Sequence, residues 1–124
     1  MVLDASALLA YLQNEKGFLE VEKALSSAFI STVNWSEVAQ KLQTKQIDFN
    51  LIRQNLEILG LQFISFNIKH ANKASELFQI TSPFGLSLGD RACLATGIIE
   101  EMPVITADQV WQRLPLPLEI RLIR

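Results

Sequence analysis

The sequence predicts an α/β fold in which a five-stranded, mostly parallel sheet carries helices on both faces. Five short apolar segments recur along the 124 residues, and amphipathic segments of helical periodicity lie between them. Hydrophobic residues make up 49% of the chain, as expected where strands are buried on both faces. Strands that alternate with helices indicate parallel pairing through right-handed crossovers. At this length we expect a single domain over residues 1–124.

The five predicted strands are short and apolar, and each is bounded by polar or turn-forming residues. The first ends in Asp4, and the fourth ends in Thr106. In chain order the strands are MVLD (1–4), AFIST (28–32), LQFISF (61–66), PVIT (103–106) and LEIRLI (118–123).

The predicted helices follow from apolar residues at helical spacing and from capping signals. Asp48 is a plausible N-cap, and Gly60 a plausible stop for the same helix. The segment SLGDRACLATGIIEE is almost entirely apolar beyond its first turn, so we expect it to be central. The predicted helices cover 6–14, 17–27, 34–45, 49–59, 67–80 and 87–101, with a loop at 81–86 and a short helical turn at 108–112.

Composition excludes several classes of protein. No run of 18 apolar residues occurs, so we expect no membrane span. No basic run precedes the apolar start, and Asp4 follows it almost immediately, which argues against a signal peptide. The lone cysteine, Cys93, makes neither an internal disulfide nor a thiolate zinc site, and we expect it to be a packing residue. A cytoplasmic protein is the expected result.

Four carboxylates fall where the chain should converge on one edge of the sheet. Asp4 closes the first strand, and Asp108 lies two residues after the fourth. Glu37 is predicted in the first turn of the helix after the second strand, and Asp90 in the first turn of its own helix. In open parallel sheets ligands bind beyond the carboxyl ends of the strands, where the strand order reverses. We therefore expect the candidate site there.

Clustered carboxylates of this kind indicate a divalent cation. Two carboxylates 4–5 Å apart repel by roughly 3–4 kcal/mol at an effective dielectric constant of 20. Oxygen-only ligands, with no histidine or cysteine converging on them, favour Mg²⁺ or Mn²⁺ over zinc.

Each acid also has a structural alternative. Asp4, Asp90 and Asp108 each precede or begin a helix and could serve as caps. A helical wheel places Glu37 opposite the apolar stripe of its helix, with Lys41 one turn on as a surface partner. Taken one at a time, the acids leave the choice open.

Two other enzyme classes fit the sequence poorly. GLSLGD (85–90) has the letters of a serine-nucleophile elbow, but a loop with a proline leads into it, and the single histidine, His70, lies upstream. We expect Ser87 to cap the helix in a capping box with Asp90, and His70 to be a solvated residue. A phosphorelay receiver domain would need paired acids after the first strand and a late lysine, and the chain has neither.

Four segments together resemble the PIN domain, and within that superfamily the VapC-type toxins of bacterial toxin–antitoxin pairs. They are VLDAS, NWSEVAQKL, LSLGDRACLATG and PVITADQVW. The resemblance spans essentially the whole chain and implies a PIN-like three-layer fold with a five-stranded parallel sheet. It also implies that the acidic quartet Asp4, Glu37, Asp90 and Asp108 is catalytic and holds the metal.

The resemblance carries further expectations for activity and partners. Ser6 and Thr106 match the hydroxyl residues that support the first aspartate, whereas Ala107 stands where the family often has a basic or polar residue. Arg91, Lys41 and Lys45 are candidate phosphate contacts. The implied activity is Mg²⁺- or Mn²⁺-dependent endonucleolytic hydrolysis of RNA. The resemblance also implies a homodimer and a cognate VapB-type antitoxin as a partner. The alternative is a non-catalytic PIN-like module that binds RNA or an antitoxin.

Overall fold

The computed structural model describes all residues from Met1 to Arg124, and its centre is a parallel β-sheet. The strands, listed in chain order, are β1 (Val2–Leu3), β2 (Phe29–Ser31), β3 (Gln62–Ile64), β4 (Val104–Thr106) and β5 (Ile120–Leu122). They are arranged in the order β3-β2-β1-β4-β5. The predicted fold class is confirmed, and every predicted strand is present, although shorter than the apolar segment that announced it.

Seven α-helices connect the strands. One predicted helix, over 67–80, is divided in two, and the predicted loop at 81–86 contains a 3₁₀ turn, Ser82–Phe84. The helices are α1 (Ala5–Leu12), α2 (Phe18–Ala24), α3 (Thr32–Thr44), α4 (Phe49–Ile58), α5 (Ile68–Glu76), α6 (Phe78–Thr81) and α7 (Leu88–Ile99), with further 3₁₀ turns at Leu25–Ser27 and Gln109–Arg113. None of them is long and apolar enough to cross a membrane.

The sheet separates two hydrophobic cores. Successive residues of a strand point to opposite faces, so Leu3 packs with α1 and α3, whereas Val2 packs with α7. Ile105 and Val104 on the neighbouring β4 divide in the same way. Helix α7 is buried along most of its length, as its apolar sequence predicted, and the Cys93 thiol is buried in its core.

The strand order reverses beside β1. The chain runs from β1 outward through β2 to β3, then returns to β4 on the other side of β1. Leu3 pairs with Ile105, which places Asp4 and Thr106 next to each other at the carboxyl ends of their strands. This is the type of position where α/β sheets bind ligands.

The expectation that His70 is solvated is wrong. Its side chain is fully buried, on the same face of α5 as Ala74. The imidazole Nδ1 accepts a hydrogen bond from the Asn67 backbone N–H at 3.1 Å and completes a capping box, and Nε2 lies 3.8 Å from Glu100 Oε1 at the end of α7. Lys69 and Asn72, which are polar neighbours of His70 in the sequence, are exposed, whereas His70 itself lies on the face that packs against α7.

Candidate active site

Asp4 is the buried centre of the candidate site. It directly follows β1, and its residue exposure is only 4%. Asp4 occupies the N-cap position of α1, but its side chain accepts no hydrogen bond from the helix backbone. Instead, Oδ2 accepts hydrogen bonds from Ser6 Oγ at 2.6 Å and Thr106 Oγ1 at 2.9 Å. The interpretation of Asp4 as an ordinary helix cap is therefore wrong.

Two hydroxyl groups fix the orientation of Asp4. Ser6 Oγ accepts a hydrogen bond from the Ala107 N–H, and Thr106 Oγ1 accepts one from the Asp108 N–H, both at 3.0 Å. Each hydroxyl therefore donates its own hydrogen bond to Asp4 Oδ2, and Oδ1 is left without a hydrogen-bond donor from the protein. The end of β4 thus sets which carboxylate oxygen of Asp4 remains free.

Glu37 lies against the first turn of α7 rather than on an isolated surface. It is the sixth residue of α3, one turn later than predicted. Its Oε1 accepts a hydrogen bond from Asn34 Nδ2 at 2.7 Å, and a Cβ atom built on Gly89 would lie 2.5 Å from its Oε2. Glu37 and Lys41 form no ion pair. The predicted surface pairing is absent, although Glu37 is exposed, as the helical wheel predicted.

Asp90 and Ser87 form the predicted capping box at the start of α7. The Asp90 N–H donates to Ser87 Oγ at 3.2 Å, and the Ser87 N–H donates to Asp90 Oδ2 at 2.8 Å. No strand leads into this turn; the 3₁₀ turn Ser82–Phe84 precedes it. Ser87 therefore has the geometry of a helix cap, and the serine-elbow interpretation has no structural support.

Asp108 is the most peripheral of the four predicted acids. It follows β4 by two residues and is exposed. Its Oδ1 accepts a hydrogen bond from the Val110 N–H at 3.0 Å and caps the 3₁₀ turn Gln109–Arg113. Its backbone N–H, through Thr106, is what connects it to Asp4.

The electrostatics group three of the acids. Burial raises the pKa of Asp4 to about 6; the hydrogen bonds from Ser6 and Thr106 oppose this shift, and the negative charges of Asp90 and Glu37 add to it. Burial also raises the pKa of Glu37, with a further contribution from Asp90 and an opposing one from Asn34. Asp108 is not among the charges that shift these two pKa values.

The charges of the same three acids also affect the pKa of the buried Cys93 thiol. Burial raises the pKa of Cys93, and the charges of Asp4, Asp90 and Glu37 raise it further. The thiol is fully buried, so it is a packing residue, as predicted.

No arginine or lysine neutralises the acids. None of the six ion pairs in the chain includes a member of the predicted quartet. In this conformation no three His, Cys, Asp or Glu side chains are placed to hold one metal ion together, and one oxygen each of Asp90 and Asp108 is engaged by a backbone N–H. The donor chemistry nevertheless suits a hard dication, because the available ligands are carboxylate oxygens.

The three predicted basic residues form no ion pairs. The Arg91 guanidinium carbon lies 5.0 Å from the centroid of the Phe78 ring. Lys41 is in the last turn of α3 and Lys45 is its C-cap, and both are exposed. Their role in binding a substrate stays a prediction.

Sequence reasoning missed Asn34 and Gly89. Asn34 is fully buried and donates through Nδ2 both to Glu37 and to the Gly89 carbonyl oxygen, the latter at 2.9 Å. The available signal was the spacing: Asn34 lies one turn before Glu37 and one turn before the buried Val38.

Comparisons with known proteins agree with this architecture. The PIN domain family model matches residues 1–116. A toxin–antitoxin complex from Klebsiella pneumoniae contains a chain with a TM-score of 0.75 and 21% identity, covering 96% of this chain and 98% of that one. A chain of VapBC2 from Rickettsia felis, bound to a promoter DNA fragment, has a TM-score of 0.71 and 19% identity, covering 98% of this chain and 96% of that one. A chain of DNA-bound VapBC from Salmonella typhimurium has a TM-score of 0.74 and 14% identity, covering 99% of this chain and 97% of that one. A search of curated proteins found no match.

Proposed function

Because the chain belongs to the PIN domain family, whose members are generally nucleases that use divalent metal ions, we propose that it is a metal-dependent endoribonuclease of the VapC-toxin type. The observation that carries the proposal is Asp4: a buried carboxylate at the strand-order reversal, with two acidic neighbours and no basic partner. Burying an anion without a cation is costly. A bound dication removes that cost.

In this proposal the metal is Mg²⁺ or Mn²⁺, held by Asp4, Glu37, Asp90 and Asp108. When bound, such an ion activates water and offsets the charge that develops on a phosphodiester as it is hydrolysed. Asp4 contributes its free oxygen, Oδ1, because the other oxygen is occupied by two hydroxyl donors.

The supporting hydroxyls have a defined task. Ser6 and Thr106 hold Asp4 in one orientation, and they are themselves held by backbone N–H groups that follow β4. Partners of this type typically contribute 10–100-fold to metal affinity or activity. Asp90 and Glu37 supply the remaining negative charge around Asp4.

The proposed substrate is RNA, and Arg91, Lys41 and Lys45 are proposed to contact its phosphates. Arg91 immediately follows Asp90 in the first turns of α7, with its guanidinium over the Phe78 ring. The two lysines are exposed and free of ion pairs. A cation without an acidic partner remains available for a phosphate.

We also propose an antitoxin partner and a homodimer. The structural neighbours include toxin–antitoxin complexes. Large apolar side chains remain exposed on several helices, an arrangement typical of surfaces that another chain covers. They include Leu51 at 54% and Ile58 at 82% on α4, Ile68 at 73% on α5, and Phe78 at 54% on α6. Size-exclusion chromatography with light scattering tests the dimer, and a chain that is monomeric throughout the micromolar range contradicts it.

The decisive experiment is cleavage of total RNA by the purified chain in Mg²⁺, in Mn²⁺ and in excess EDTA, followed by mapping of the cut ends. We expect endonucleolytic cuts only with metal, leaving 5′-phosphate and 3′-hydroxyl ends. RNA that is bound but never cut, in either metal, would instead favour the non-catalytic binding module. Cleavage that persists undiminished in EDTA would exclude a metal-dependent reaction.

A further inference from the structure

Asn34 joins two helices at the point where Glu37 is held. Its side-chain amide is fully buried, and Nδ2 donates one hydrogen bond to Glu37 Oε1 and another to the Gly89 carbonyl oxygen. The first contact lies within α3, whereas the second crosses to α7. A single amide group therefore links the orientation of Glu37 to the docking of α7, the helix that carries Asp90.

Gly89 provides the space that Glu37 occupies. A Cβ atom at position 89 would lie 2.5–2.7 Å from the three carboxylate atoms of Glu37, closer than van der Waals contact allows. The backbone of Gly89 is helical, without the positive φ seen at other glycines of the chain. Its lack of a side chain is therefore explained by the Glu37 carboxylate and not by a backbone conformation that only glycine adopts.

We propose that Asn34 and Gly89 are positioning residues that together form a clamp for Glu37, holding its carboxylate against the first turn of α7 and so setting the affinity of the acidic site for its divalent ion. The inference rests on the function proposed above. Neither residue touches the substrate or the metal in this scheme. Both act through Glu37.

The clamp differs from a purely structural role in what it predicts for stability. The atoms that a methyl group at position 89 would meet belong to the far end of the exposed, flexible side chain of Glu37. Glu37 can therefore move aside while the fold is retained, and alanine favours a helix over glycine. Gly89→Ala should make the metal-free chain at least as stable as the wild type while displacing Glu37.

The test compares Mn²⁺ affinity, measured by isothermal titration calorimetry, for the wild-type chain, Gly89→Ala, Glu37→Ala and the double variant. We expect Gly89→Ala to weaken Mn²⁺ binding by about 10-fold or more, with an unchanged or higher melting temperature in EDTA. Because both changes act through one carboxylate, the double variant should bind Mn²⁺ no more weakly than Glu37→Ala alone.

Asn34→Leu provides a second approach to the same clamp. It keeps a similar volume and removes the amide donor, so we expect a similar loss of Mn²⁺ affinity. Because Asn34 is fully buried, this variant is more prone to lose stability, and Gly89→Ala is the deciding one. Leu88→Ala is the matched control: the residue is adjacent to Gly89 and is 62% exposed. Its Mn²⁺ affinity should equal that of the wild type.

The outcomes separate the clamp from the proposed function. If the wild-type chain binds Mn²⁺ and cleaves RNA but Gly89→Ala retains full affinity, the clamp is wrong and the proposed function stands. If Gly89→Ala weakens binding equally in the Glu37→Ala background, it acts by another route, and the clamp is again wrong. A wild-type chain that neither binds Mn²⁺ nor cleaves RNA overturns the proposed function, and the clamp with it.

Discussion

Helix α7 carries a carboxylate at each end, and the two ends differ in how that charge is accommodated. At the N-terminal end, Asp90 lies near Glu37 and the buried Asp4, and no basic side chain pairs with any of them. At the C-terminal end, Glu100 faces the imidazole of buried His70 at 3.8 Å. One end has a histidine ring beside its acid, although no hydrogen bond joins the two, and the other has only more acids.

The two clusters are therefore interpreted differently: the His70 cluster as structural, and the Asp4 cluster as the metal site proposed above. In the His70 cluster, the imidazole completes a capping box with Asn67, and Phe66 packs beside the ring with ring centroids 5.8 Å apart. The Asp4 cluster also uses protein donors, but only on one oxygen. Burying acids without a cation is costly, which is why we propose that a divalent ion binds at the N-terminal end of α7.

The largest expected effect distinguishes the two ends directly. Asp90→Asn should reduce RNA cleavage by more than the 10–100-fold typical of outer-sphere partners, because it removes a proposed metal ligand. The asparagine carbonyl can still accept the hydrogen bond from the Ser87 N–H, so the fold should be retained. Glu100→Gln, the matched change at the other end of the helix, should leave cleavage unchanged. Cleavage rates in Mg²⁺ provide the measurement, and full activity of Asp90→Asn would refute the acidic site.

The second effect is on stability and its dependence on pH. Folding raises the pKa of Asp4 from 3.8 to about 6. The folded chain therefore binds this proton more tightly than the unfolded chain does, so the contribution of Asp4 to stability is fully present below pH 3.8 and is lost as the pH rises through 6. At pH 7.5 in EDTA, ionised Asp4 should cost roughly 3 kcal/mol.

Asp4→Asn should remove that cost while abolishing cleavage. Urea unfolding in EDTA should show the variant more stable than the wild type above pH 6, with the gap closing towards pH 4. Added Mg²⁺ should stabilise the wild type more than the variant, because bound ligand favours the folded state. Parallel pH profiles for the two chains would contradict the burial of an ionised Asp4.

The third effect concerns the other end of α7. His70→Ala should lower the free energy of unfolding by about 2–4 kcal/mol, because it leaves a cavity and removes the capping box. The exposed neighbour change Lys69→Ala should cost less than about 0.5 kcal/mol. Both variants should retain the Mg²⁺ response. A His70→Ala chain as stable as the wild type would return His70 to the surface role that its sequence neighbours suggested.

These regions also show how far the sequence alone leads. Strand ends are local events, marked by an apolar run and the polar residue after it, so Asp4 and Thr106 were placed correctly. His70 was misplaced because polar neighbours outweighed its spacing with Ala74. Which face of a helix packs against another element depends on the neighbouring helix, here α7, and that neighbour is distant in the sequence.

In the candidate site, too, contacts between residues close in the sequence were predicted and contacts between distant residues were not. The capping box at Ser87 involves residues three apart and was predicted, whereas the contact of Asn34 with Gly89 spans 55 residues and was not. The placement of Glu37 depends on that distant contact. The role of Asp108 stays a prediction, because its side chain caps a 3₁₀ turn here, as does the assignment of residues 1–124 to one domain.

The smallest expected effect separates the cap from the acids. Ser87→Ala removes the oxygen that accepts the Asp90 N–H, so the free energy of unfolding should fall by ~1 kcal/mol, the usual contribution of an N-cap side chain. Ser75→Ala, an exposed serine inside α5 without a side-chain hydrogen bond, should be neutral or slightly stabilising. Cleavage should survive both changes, because the Ser87 backbone N–H still holds the Asp90 carboxylate. If Ser87→Ala instead eliminates cleavage while its melting temperature stays near that of the wild type, the reactive group at this end of α7 is the hydroxyl, and the carboxylates are its surroundings.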